Sequence, residues 1–272
     1  DEYRAHLHAH PQEARFIYLY GRLLEKDSQK RAYFYRAIKA DSSFFQAQFD
    51  LGKLHYYAGE YNDAIVRYRM ATRLKPKSAL IDNLLGLAYY HSGHPDQAIG
   101  EYQKAIQNDA TYADAYLNLG LSYYYTDQFD KAIQTYTTAL QNAKWDDDQH
   151  LLHHNLGMVY RKQGHIDKAA TAYGEALKHN PKYAEAHISL GNLAFYQENY
   201  AQAIQSFQKA LGTKAANADL HLRLGLAYFN TQIYPKAIFH FQNTLNLDAT
   251  NIQTYHYLGR AYDLNNQPNK AI

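Results

Sequence analysis

Cysteine is absent from this sequence, which excludes disulfides, thiol catalysis and cysteine-ligated zinc or clusters and suits cytosol and periplasm equally. No apolar run approaches the roughly 18 residues of a membrane span. Charge of one sign is lacking too: 28 basic and 26 acidic side chains give a formal net charge of +2. Without a basic stripe to follow phosphates, a nucleic-acid partner is not expected. No HExxH pair, nucleotide-binding glycine loop or nucleophile elbow occurs. Carboxylates such as Asp114, Glu185 and Asp219 are scattered singly, so acid–base chemistry has no constellation. The chain reads as non-catalytic, with no cofactor and no metal. Glycine and proline are scarce, at 14 and 6 of 272 residues. What abounds is tyrosine, 28 copies against 11 Phe and 1 Trp, an amphipathic ring that suits both helix packing and wet recognition surfaces.

The few glycines are not random. Gly52, Gly86, Gly120, Gly157, Gly191, Gly225 and Gly259 follow one another at 34 residues, with a single gap of 37 between Gly120 and Gly157. A fixed period of this size means one supersecondary unit stacked on copies of itself. Within the unit from Phe45 to Ser78, apolar residues recur at helical spacing over roughly 46–58 and 61–74, separated by Gly59-Glu60. Leucine precedes each marker glycine, from Leu51 to Leu258. Alanine stands twelve residues after it (Ala64, Ala98, Ala132, Ala169, Ala203, Ala237, Ala271), and a ring follows four later (Tyr68, Tyr102, Tyr136, Tyr173, Phe207, Phe241). Small residues let two helices approach, and the rings fill gaps between neighbouring hairpins. Pro95, Pro235 and Pro268 fall at the start of second helices, where a missing N–H costs little.

On these residues the chain resembles the tetratricopeptide repeat family. The Leu-Gly pair, Tyr89, Tyr123 and Tyr160 three residues after the glycine, the alanine, the ring and a second alanine (Ala71, Ala105, Ala139, Ala176, Ala210) all match. The closing proline survives only as Pro11, Pro76 and Pro181. The usual tryptophan is replaced by Gln48, Asp82, Tyr116, His153, His187, His221 and Tyr255. The resemblance implies an all-α fold, an α-solenoid of stacked antiparallel helix pairs forming a right-handed superhelix. One array is expected over 1–272. Full repeats would occupy 45–78, 79–112, 113–149, 150–183, 184–217 and 218–251. A short degenerate repeat over 14–44, a second helix of a truncated repeat over 1–13 and a truncated repeat over 252–272 complete it. The shortening is expected in the turn around Asp27-Ser28. Three extra residues fall in Asn142–Gln149, which holds Trp145 and reads as a lengthened surface loop. Type IV pilus pilotin lipoproteins are similar in carrying a lengthened joint. Neither end shows a polar cap, so a longer array, packing of the ends on something else, or self-association through them is expected. The cytoplasm is the default compartment. A start at Asp1 leaves room for a targeting or lipidation segment ahead of it, and the periplasm stays open.

The resemblance also implies that the first helix of each hairpin lines a concave binding groove. One helical turn past the marker glycines stand Tyr56, Tyr90, Tyr124, Arg161, Phe195 and Phe229, with Tyr57, Tyr125 and Tyr196 beside them. Leu121 and Met158 lie on the same face, interspersed with Asn83, Asn118, Asn155 and Asn192. Rings and amides suit an extended protein or peptide segment, amides pairing with its backbone. Expected anchors are Tyr90, Leu121, Tyr124, Met158, Phe195 and Phe229, with Asn118 and Asn155 orienting the partner and Arg161 meeting an acidic or carbonyl group. Asn118 and Asn155 are similar to two rungs of the asparagine ladder in the repeats of O-linked N-acetylglucosamine transferase. The Lys/Asn/Asn/Lys/Arg carboxylate clamp of chaperone-type repeats is not supplied. Two further readings stay open: a glycan-binding scaffold of a bacterial polysaccharide or pilus assembly system, and the non-catalytic arm of a larger enzyme. The histidines His153, His187 and His221 recur one per repeat, about a helix diameter apart, too far to share one metal ion.

Overall fold

The computed structural model of the protein describes residues 12–142, 148–213, 217–267 and 269. Among them are fifteen helices and no strand, divided between two compact units, 1–144 and 145–272. The first unit holds α1 (Ala14–Arg22), α2 (Asp27–Ala40), α3 (Phe45–Tyr57), α4 (Tyr61–Leu74), α5 (Ala79–His91), α6 (Pro95–Asn108), α7 (Ala113–Tyr125) and α8 (Phe129–Asn142). The second holds α9 (Gln149–Lys162), α10 (Ile166–His179), α11 (Ala184–Tyr196), α12 (Tyr200–Leu211), α13 (Ala218–Asn230), α14 (Tyr234–Leu247) and α15 (Ile252–Leu264). Within each unit every helix packs on the next. First helices also meet first helices, α5 against α7 and α13 against α15. Each unit is a stretch of all-α solenoid.

The marker glycines explain why the pairs close so tightly. A Cβ placed on Gly52 of α3 would lie 2.7 Å from the Tyr68 ring of α4, and one on Gly157 of α9 would lie 2.6 Å from the Tyr173 ring of α10. Gly86, Gly120, Gly191 and Gly225 meet Tyr102, Tyr136, Phe207 and Phe241 in the same way. A methyl group at any of them would overlap the ring, so the ring lies flat where a side chain should be. All six rings are essentially fully buried. Each closes its own hairpin, and Tyr68 also joins Leu85 and Ala88 of the following hairpin in one cluster. The ring is there for its shape: the buried Tyr68 hydroxyl finds no hydrogen-bond partner among the described residues, and phenylalanine serves equally at 207 and 241.

The turn inside each hairpin uses a left-handed residue. Gly59, Gly93 and Gly164 have φ of 77°, 82° and 80°, and Asp127, Glu198, Gln232 and Asn266 take φ of 55–63° at the equivalent place. This ends the first helix and frees the chain to reverse. Between hairpins, the missing prolines are replaced by side-chain turns. Asp41 Oδ1 accepts from Ser43 N, Asp109 Oδ1 from Thr111 N and Asp248 Oδ1 from Thr250 N, at 2.8, 2.9 and 3.0 Å. The residues standing for tryptophan tie these links down. Gln48, Tyr116, His187 and Tyr255 each bond the carbonyl six residues earlier, at 3.0–3.3 Å.

The first repeat is shortened differently from the sequence expectation. Asp27 and Ser28 are not in its turn; they open α2. The loss comes from α1, which has 9 residues against 13 in α3, so Gly21 sits one residue from its end. Its closing ring, Phe34, therefore arrives thirteen residues after the glycine and lies 3.2 Å from a Cβ built there. The helix expected before Ala14 lies almost wholly outside the described residues, as do 143–147 with Trp145, Pro268, and 270–272 with Ala271.

Two measurements check this packing. Gly157→Ala is expected to lower stability by about 1–3 kcal/mol through overpacking. Gly174→Ala, on α10 with open space at its Cβ, is expected to raise it by about 0.5–1 kcal/mol. Thermal denaturation of the pair reads the contrast. At the turns, Gln232→Gly is expected to stabilise by about 0.5–1 kcal/mol and Gly164→Ala to destabilise by about 1 kcal/mol, measured by urea unfolding.

Candidate functional site

In the first unit the C-terminal turns of α3, α5 and α7 each end in two rings: Tyr56-Tyr57, Tyr90-His91 and Tyr124-Tyr125. Successive hairpins bring them into one chain. Tyr57 meets Tyr56 at 5.6 Å between centroids, Tyr56 meets His91 at 5.7 Å, and His91 meets Tyr90 at 5.4 Å. Tyr90 then reaches Tyr125 at 6.4 Å, Tyr125 meets Tyr124 at 5.2 Å, and Tyr124 meets Phe129 at 6.2 Å. Tyr61, the first residue of α4, stacks on His91 at 5.1 Å. Tyr56, Tyr61, Tyr90, Tyr124 and Phe129 are half-buried, whereas His91 is exposed and Tyr57 and Tyr125 stand out at 78% and 62%. Half-buried Leu84, Leu87, Leu117 and Leu121 continue the face. Burial raises the pKa of Tyr56 and Tyr90, so these rings stay neutral donors.

The amides play a different part. Asn118 Nδ2 donates to Asn83 Oδ1 at 3.0 Å, and Asn83 is only 2% exposed. Asn83 thus lies beneath the surface and fixes Asn118 instead of facing a partner. Near α1 the face becomes basic. An open hollow of about 270 Å³ is floored by Phe34 and Leu54, rimmed by Tyr57, and lined by Arg22, Lys30, Lys53 and Asp50. Asp50 accepts from Tyr18 Oη at 2.6 Å. Arg22 and Lys53 follow directly on Gly21 and Gly52, where later repeats carry Leu87 and Leu121. Sequence reading missed this change along one register position.

In the second unit Asn192 and Phe195 line a hollow of about 140 Å³ with Tyr196, Phe207, Arg223 and Leu226. Arg223 Nη1 donates to Asn192 Oδ1 at 2.8 Å and its Nε to Asp219 at 2.7 Å. Arg223 therefore fixes the Asn192 amide, a contact that sequence reasoning left out. Tyr196 is 77% exposed, repeating the outward ring of Tyr57 and Tyr125. Phe229 sits one repeat on, against Tyr234, Tyr257 and the Arg260 guanidinium at 5.2–5.8 Å. Met158 packs against the Ala169–Tyr173–Leu193 cluster, Asn155 is half-buried and Arg161 exposed.

The titratable clusters look structural. His55, Glu60 and Asp63 bring ligand atoms within 4.8 Å, but both Glu60 oxygens receive Arg31 Nη1, at 2.8 and 2.7 Å. His55 bonds Glu60 through Nδ1 and the Tyr35 hydroxyl through Nε2. Arg31, then His55, holds the Glu60 carboxyl below the usual range. In the second unit His221 Nδ1 and His240 Nδ1 lie 3.0 Å apart. Burial, with His221 and Lys236 nearby, pushes His240 down to about 4, and burial alone lowers His221. A histidine depressed in the folded state stabilises above its unfolded pKa near 6.5, and that stability is lost as pH falls toward 4. Thermal melts between pH 7 and pH 4.5 are expected to fall, and His240→Phe is expected to flatten that fall.

Tetratricopeptide repeat models match residues 49–113, 154–218 and 188–245, and, for a second such model, 111–179. No curated protein sequence matches significantly. Among solved structures, Pseudomonas aeruginosa PilF is similar at 20% identity and TM-score 0.67, covering 81% of this chain and 98% of that one. The human IFIT1 dimer with m7Gppp-AAAA is similar at 20% identity and TM-score 0.58, covering 90% and 66%. YrrB, described as a TPR protein with an unusual peptide-binding site, is similar at 19% and 0.52, covering 70% and 96%. At such identities the likeness is one of fold, and it extends to neighbours with quite different ligands. Ligand class has to come from this chain's own residues. The fold itself, with hairpins closed on marker glycines and models matching from 49 through 245, leads to one assignment: the chain belongs to the tetratricopeptide repeat family.

Proposed function

We propose that the protein is a non-catalytic interaction scaffold that holds an extended partner segment against the rings ending its first helices. The observation that carries this is the unbroken chain of rings from Tyr57 to Phe129, with Tyr57 and Tyr125 turned to solvent. Exposed rings supply large contact area at little conformational cost, and contiguous apolar surface of this kind marks interaction sites. The half-buried leucines offer seats for alternate side chains. Tyr196 and the hollow beside Asn192 and Arg223 give the second unit an equivalent seat. Family membership favours the same reading, since these arrays are generally scaffolds without catalysis.

The test is selection of peptides from a random display library, run beside a glycan array. Peptides are expected to be selected, and Tyr57→Ala/Tyr125→Ala, which alters exposed rings alone, is expected to weaken them at least tenfold while leaving the melting temperature within a few degrees. Equal binding by the variant, or selection on the glycan array alone, would overturn the proposal.

A further inference from the structure

Resting on that reading, we infer that the segment taken by the first unit is a peptide carrying carboxylates at one end and apolar residues beyond. Its carboxylates sit in the hollow of Arg22, Lys30 and Lys53 beside Tyr57. The argument is one of charge. The hollow presents three cations against the single carboxylate of Asp50, and that carboxylate is engaged by the Tyr18 hydroxyl at 2.6 Å. Lys30 reaches Asp27 at 3.1 Å, but Asp27 is 66% exposed, and such surface pairs are weak and exchangeable. Arg22 and Lys53 have no carboxylate partner among the described residues. Their charged ends lie 5.9 Å from the rings of Tyr18 and Phe49, respectively. The floor, Phe34 and Leu54, is apolar, so an anion there is partly shielded from water and its attraction to the three cations strengthened.

Past the hollow the charge ends. The position after the marker glycine changes from Arg22 and Lys53 to Leu87 and Leu121, and neither α5 nor α7 contains a lysine or arginine. Asp114, exposed on α7, adds the opposite sign. A nucleic acid laid along the rings would find cations for its first phosphates and none for the rest, whereas affinity for a polyanion grows with each phosphate neutralised. An acidic anchor followed by a neutral body fits the whole face. Hairpins advance about 10 Å each and an extended chain about 3.3 Å per residue. The stretch from the hollow to Tyr125 therefore takes roughly six residues beyond the anchor.

The experiment is fluorescence anisotropy with labelled synthetic ten-residue peptides. Each has a pair of glutamates at the N- or the C-terminal end and leucine or phenylalanine at alternate positions after it. Glutamine twins and an oligoadenylate of equal length are the comparisons. One glutamate peptide is expected to bind the full chain roughly tenfold more tightly than its glutamine twin at low salt. Arg22→Gln/Lys53→Gln is expected to bind the two alike, and Tyr57→Ala/Tyr125→Ala to weaken both by the same factor. Equal affinity of the twins for the unaltered protein, or a preference that survives Arg22→Gln/Lys53→Gln, overturns the acidic anchor while leaving the aromatic face standing. Tyr57→Ala/Tyr125→Ala without effect overturns the aromatic face itself. Failure of every peptide to bind, or tighter binding of the oligoadenylate, also overturns the inference. The altered side chains lie on the surface, and circular dichroism verifies that each variant is folded.

Discussion

Everything in this protein depends on an aromatic ring lying flat on a glycine. The contact between Gly52 and Tyr68, repeated with small changes through Gly225 and Phe241, leaves no room even for a methyl group. Two helices are thereby drawn together at a distance no other residue allows. Around that contact fully buried alanines pack with buried leucines such as Leu51 and Leu224. Because the glycine fixes the rotation of the first helix, it also fixes which residues leave the core. The rings four positions on, Tyr56, Tyr90, Tyr124, Phe195 and Phe229, are half-buried, and those five positions on, Tyr57, Tyr125 and Tyr196, stand in solvent. The proposed interaction face is thus a consequence of the packing contact and needs no separate device.

The period was legible because glycine, alanine and ring are each nearly irreplaceable at their positions. The helix bounds read from 45–78 agree with α3 and α4 to within a residue. The first repeat shows where such reading stops. Ala37 and Phe34 keep their places relative to each other, yet α1 gives up its last turn, which no turn residue in the sequence marks. Three of the left-handed turns were signalled by glycine; Asp127, Glu198, Gln232 and Asn266 adopt the same backbone without that signal. The prolines absent between hairpins gave no hint that Asp41, Asp109 and Asp248 would close those links through their carboxylates.

The sequence named both rings at the ends of α3, α7 and α11 without ranking their exposure. A hydrophobic period identifies the side of a helix, but 100° of rotation separates Tyr124 from Tyr125, and only packing decides which is exposed. Asn83 looked like its neighbour Asn118 and proves to be its support, because burial is invisible in a pattern of amides. Arg223 and the basic hollow around Lys53 were hidden for another reason. Each is assembled from helices in different hairpins, so no single stretch of sequence displays it.

The central claim, that a partner segment rests on the rings ending α3, α5 and α7, is open to one direct measurement. Hydrogen–deuterium exchange would be followed on the full chain, free and saturated with a peptide selected on it. Protection confined to peptides spanning 54–61, 88–91 and 121–129 is the result this account predicts. Protection confined to the second helices α4, α6 and α8, with those three stretches unchanged, would contradict it.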